Sequence, residues 1–85
     1  MLVTFVEVVH SDGPISELRK AALLDIAKEA GIAAEHVRLV TAFEDRNSPA
    51  FRKRFSELAR GSDVWFRSEP DMLVKMSELR VPKGN

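Results

Sequence analysis

The chain has 85 residues, in which 13 Lys and Arg balance 13 Asp and Glu, and it contains no cysteine. That confines it to one small domain without a disulfide framework or a thiolate zinc site, and its two histidines make a structural zinc unexpected. No apolar run approaches the roughly 20 residues of a transmembrane helix, and no secretory signal precedes the first apolar stretch. The expectation is a soluble, cytoplasmic protein with no membrane partner, residues 1–80 forming a single domain and 81–85 a frayed tail.

Charge is balanced overall but not along the chain. Residues 1–45 carry eight acids and four bases, whereas 46–85 carry five acids and nine bases. A basic second half suits a polyanionic partner such as nucleic acid, although ordinary surfaces often show asymmetry of this size.

The first element is an apolar run from Leu2 to Val9, stopped by Asp12-Gly13-Pro14. It reads as a β-strand covered on both faces and ending in a tight turn. Strand side chains alternate, so Glu7 shares a face with Val3, Phe5 and Val9 and points where a core residue belongs. Such a carboxylate costs several kcal/mol of desolvation unless it is protonated, paired with a cation or bound to a metal. A plain structural ion pair and a functional site both satisfy that requirement.

Ser16 is placed to cap a helix running to about Ala30, with Gly31 as its stop. Leu23, Ile26, Ala27 and Ala30 fall on one arc of that helix. Arg19 lies on the same arc in the first turn, with Lys20 at its margin. A helix that follows a strand begins beside the strand's carboxyl end, so Arg19 is the expected partner of Glu7. Val37 to Phe43 reads as a second strand, joined to the first by a parallel crossover through the helix. Parallel strands bring the turn at His10 to Pro14 and the loop Glu44-Asp45-Arg46-Asn47 to one sheet edge. Asp12, Asp45 and Arg46 are thereby candidates to approach Glu7, although loop charges are ordinarily just solvated.

Ser48-Pro49 opens a second helix, with Phe51, Phe55, Leu58 and Ala59 as its apolar stripe and Gly61 at its end. Arg52, Lys53, Arg54 and Arg60 fall on its exposed side, available to phosphates but equally a common solvated surface. A third short strand is expected at Asp63 to Arg67. Ser68 to Asp71 then reads as the start of a last helix, with Met72, Leu73, Met76 and Leu79 at helical spacing. The expected fold is α/β, in the order β-α-β-α-β-α, with a small, mostly parallel sheet flanked by helices. No glycine-rich phosphate loop, repeat or Ser-His-Asp set is present.

Taken together, Val6-Glu7-Val8-Val9, Ser11, Gly13-Pro14, Arg19, Val40-Thr41-Ala42-Phe43, Asp45-Arg46 and Val64-Trp65 with Pro70 and Leu73 resemble the carboxyl-terminal part of BsuBI/PstI-type restriction endonucleases. The resemblance runs from about Leu2 to Val74. It implies a PD-(D/E)xK nuclease fold and a type II restriction enzyme that hydrolyses duplex DNA with magnesium. Carried over, Glu7 and Asp45 become metal ligands, and Glu7 with Arg19 and Lys20 forms the catalytic set. Arg46, Arg52, Lys53 and Arg54 become DNA contacts.

Two departures qualify what the resemblance implies. Val9 stands where the family pattern has its lysine, and a basic group from the helix would have to compensate. Arg19 stays protonated, so its role there would be electrostatic. The family's preceding aspartate would lie before Met1, so the isolated chain is expected to be a portion of the catalytic domain, inactive alone and completed by an upstream nuclease half. The resemblance leaves the third strand open to an antiparallel arrangement, whereas spacing makes it parallel. An apolar first strand left at a sheet edge also predicts a homo-oligomer through Leu2 to Val9. The alternative function is a non-catalytic α/β module that binds DNA or a protein partner.

Overall fold

The computed structural model describes residues 2–9 and 14–79, so expectations for His10, Asp12 and the tail lie outside the described residues. Strand β1 spans Val3–Val8, helix α1 Glu17–Glu29, β2 Val37–Phe43, α2 Pro49–Arg54, β3 Asp63–Phe66 and β4 Leu73–Lys75. Short 3-10 turns at Ala34–His36, Phe55–Glu57 and Met76–Glu78 complete the order. The four strands form one sheet in the order β1-β2-β3-β4. β1 and β3 both run parallel to β2, and β4 runs antiparallel to β3.

Helix boundaries follow the local chemistry. Ser16 caps α1 by accepting from the Arg19 N–H at 3.3 Å, which satisfies one of the donors a first turn leaves open. At the other end Ile32 N–H donates to Ala27 C=O at 2.9 Å and Gly31 N–H to Lys28 C=O at 3.0 Å. That is the Schellman arrangement, and it holds Gly31 at φ +79°. Ser48 caps α2 in the same way, with Pro49 in its first turn.

The core lies on one side of the sheet. Leu39 of β2 clusters with Leu23 of α1, while Phe43, two pleats along the same face, clusters with Phe51 of α2. Both helices therefore cover one face. Phe51 meets Phe43 and Phe66 edge-to-face at centroid separations of 5.2 and 5.0 Å, a geometry that adds to their burial. Fully buried Ile15 ties the layers together. Its N–H donates to Thr41 Oγ1 at 3.1 Å and its carbonyl accepts from the Ala59 N–H at 2.8 Å.

Two expectations differ from the structure. Among the described residues nothing covers the second face of the opening strand: Leu2, Val6 and Val8 are 56, 58 and 57% exposed. The expected last helix does not form. Leu73–Lys75 pairs with β3, and only Met76–Glu78 coils, as a 3-10 turn. Met72, Leu73, Met76 and Leu79 fit helical spacing, but a three-residue strand is too short to show alternation, and it closes the outer edge of β3 with backbone hydrogen bonds. The third strand is parallel, as spacing predicts.

Candidate active site

Glu7 occupies the helix-covered face near the carboxyl end of β1, in register with the buried Thr41 of β2. Arg19 reaches it from the first turn of α1, Nε donating to Glu7 Oε1 at 3.0 Å. The pair borders a small cavity of about 120 Å³ lined by Phe5, Val6, Ile15 and Leu23. The helix start that carries Arg19 is held from below: Glu17 Oε2 accepts from the Arg60 N–H at 2.6 Å, and Lys20 Nζ donates to the Arg60 carbonyl at 2.7 Å. Arg19 is thus brought to Glu7 as expected, whereas the contact of Lys20 is the backbone of the turn before β3.

The electrostatics differ from the opening expectation. The Glu7 side chain is 34% exposed and that of Arg19 52% exposed, because β1 is an edge strand and one flank of the carboxylate is open to water. Glu7 is not a fully desolvated charge, and a pair this exposed contributes about 0.2–1 kcal/mol.

In the loop after β2, Asp45 Oδ1 accepts from the Asn47 N–H at 2.7 Å. Arg46 makes a two-pronged bond to Glu69, at 2.6 and 3.2 Å, with its guanidinium 4.8 Å over the Phe66 ring. It fastens the loop after β2 to the turn after β3, a pairing across 23 residues that the expectation of a helix starting at Ser68 to Asp71 does not contain. Arg54 pairs with Glu57 at 3.1 Å. Arg52 and Lys53 are exposed on α2, without a salt bridge among the described residues.

No group of three or more His, Asp or Glu side chains gathers among the described residues, and the one carboxylate at the end of β1 is engaged by Arg19. Magnesium needs one or two carboxylates together with waters and substrate phosphate. Glu7 can be one such ligand.

A strand carrying a partly exposed Glu near its end, a crossover helix returning an Arg to it and a parallel second strand define a small α/β domain with a charged pair at one sheet edge. The BsuBI/PstI restriction endonuclease domain model matches residues 1–79, and the chain belongs to that family. Among solved structures it is similar to that of the SdaI restriction endonuclease, with a TM-score of 0.72 and 27% identity over 96% of this chain. The match spans 25% of the SdaI chain. No curated protein matches. Among the described residues no helix is long and apolar enough to cross a membrane.

Proposed function

We propose that this chain is a catalytic-domain portion of a magnesium-dependent type II restriction endonuclease that hydrolyses phosphodiester bonds of duplex DNA. In this reading Glu7 is one of the metal's oxygen ligands, with others coming from polypeptide outside the described residues. The observation that carries the reading is the placement of Glu7. It stands at the carboxyl end of a parallel strand, where open α/β sheets keep their sites, beside a cavity and only partly desolvated. Membership of the BsuBI/PstI restriction endonuclease domain family supplies the reaction class.

Magnesium, when bound, would stabilise charge on the phosphate oxygens. Glu7 binds and orients it. Arg19, held by the Ser16 cap, fixes the carboxylate's direction while the ion is absent and offers positive charge at the same spot when the ion takes Glu7. Arg52 and Lys53 are free to meet backbone phosphates from α2, whereas Arg46 and Arg54 would first have to leave carboxylate partners. Asp45, two residues beyond the end of β2, is the candidate for a second oxygen ligand.

Paramagnetic manganese, which broadens amide resonances near where it binds, tests this reading even at weak affinity. Broadening centred on Glu7 and Arg19 in the wild-type chain, lost in Glu7→Gln, is the expected result. Equal broadening in both proteins, or none at either residue, would remove Glu7 from the role of ligand and favour the non-catalytic module.

A further inference from the structure

The first turn of α1 carries Arg19 to Glu7, yet it has no buried apolar side chain of its own. The buried residues of the helix are Leu23 and Ala27, while Glu17, Leu18 and Arg19 are exposed and Lys20 is half-buried. What holds this turn laterally is polar. Glu17 Oε2 accepts from the Arg60 N–H at 2.6 Å, and Lys20 Nζ donates to the Arg60 carbonyl at 2.7 Å. Both polar groups of one residue's backbone are thus gripped by two side chains one helical turn apart.

The Arg60 backbone is shaped for that grip. Ser62 N–H donates to the Ala59 carbonyl at 3.3 Å, and Ser62 Oγ donates to the same oxygen at 2.6 Å, closing a four-residue turn. Gly61, at its third position, has φ +78°, and no non-glycine described residue has a positive φ. That combination is a type II turn, whose second residue differs in ψ by about 150° from the commoner type I. The difference is what turns the Arg60 carbonyl to the ammonium of Lys20.

We propose that Lys20 is a positioning residue: through the Arg60 carbonyl it fixes the roll of α1, and with it the reach of Arg19 to Glu7. Leu23 and Ala27 define the inward line of the helix. Arg19 lies about 60° to one side of that line, and Glu17 and Lys20 average about 70° to the other. The clamp therefore faces the turn before β3 while Arg19 faces the edge strand β1. Rolling the helix away from one flank swings the other. At a radius of about 5–6 Å, a roll of about 20° shifts a side-chain tip by about 2 Å, enough to part a bond of 3.0 Å.

The bond from Arg19 Nε goes to Glu7 Oε1, so its direction sets which way Oε2 faces. In the proposed nuclease, Oε2 is the oxygen left for the metal. That consequence of the clamp rests on Glu7 being a ligand, whereas the aiming of Arg19 does not. Lys20 then serves the site without touching metal or phosphate, because its own charge is spent on a backbone carbonyl.

Solvent exchange of arginine Nε–H protons, followed by NMR in the isotope-labelled 85-residue chain at mildly acidic pH, tests the proposal. Arg19 and Arg46 each donate Nε–H to a carboxylate, at 3.0 and 2.6 Å, so Arg46 is the internal reference. In Lys20→Met the Arg19 proton should exchange about fivefold faster, the factor that loss of one hydrogen bond of ordinary net strength implies, with Arg46 unchanged. Lys20→Arg keeps a donor for the carbonyl and should restore the wild-type rate. Lys28→Met removes the same charge from the last turn of α1 and should leave Arg19 as it is. Manganese broadening at Glu7 in the wild-type chain is read separately: its absence would defeat the nuclease reading, and Arg19 exchange would still decide the clamp. Unchanged Arg19 exchange in Lys20→Met, or Arg19 and Arg46 quickening together as general loosening would make them, would overturn the proposal.

Discussion

Glu7 is a charge on a face built for apolar side chains, and its setting explains how the chain tolerates it. With a third of the side chain reaching water and Arg19 Nε at 3.0 Å, the carboxylate is neither fully desolvated nor unpaired. Arg19→Leu is consequently expected to lower stability by less than about 1 kcal/mol, measured by urea denaturation, because water replaces the lost partner. A loss of several kcal/mol would mean that Glu7 is far more buried than its exposure indicates. The contrast lies at Phe51, 1% exposed and edge-on to two other rings. Phe51→Ala should cost about 3–5 kcal/mol, enough to unfold much of so small a domain. Arg46 belongs with Phe51 rather than with Glu7, since its bonds to Glu69 and its stacking on Phe66 hold two loops together.

At the scale of elements, local chemistry and tertiary pairing divide the work unequally. Both helix starts and the end of α1 are written in a few residues: Ser16, Gly31, Ser48 and Pro49 sit at their predicted caps. Gly31→Ala isolates one such contribution, because an added Cβ meets nothing within 4 Å and only the φ of +79° is strained. The expected loss is about 1–2 kcal/mol in chemical denaturation. The end of the chain behaves differently. Met72 to Leu79 has helical spacing, yet Leu73–Lys75 becomes a strand because β3 presents an unpaired edge that only tertiary pairing can fill. No window of sequence around Leu73 contains that edge. The opening strand shows the converse: its apolar run over both faces was legible, but what covers the second face was not.

The molecule as a whole is a two-layer domain, a four-stranded sheet with both helices on one side. That layering leaves the Glu7 end of β1 accessible, and among the described residues no group of three or more metal-binding side chains forms. The purified chain is accordingly expected to leave supercoiled plasmid uncut in millimolar magnesium, and robust nicking would show that it carries a complete site. Any DNA affinity should be electrostatic. Reversing Arg52 and Lys53 together to Glu should weaken binding to a labelled duplex at least tenfold, and the wild-type affinity should fall steeply with salt, both read by fluorescence anisotropy. A salt-independent affinity would exclude phosphate contacts from α2.

The sequence by itself determined the order of the first five elements, the helix caps, the parallel crossover and the meeting of Glu7 with Arg19. Each follows from backbone chemistry or from periodicity over a few residues. The motif string from Val6 to Leu73 likewise carried the family, which the match over residues 1–79 bears out. Only the tertiary structure decided that both helices take one face, that Leu73–Lys75 pairs as a strand and that Arg46 is bound to Glu69. It also decided that Glu7 stays partly in water. These outcomes depend on which surfaces remain open after the neighbouring elements have packed, and burial and pairing across long sequence separations are not encoded in any local stretch.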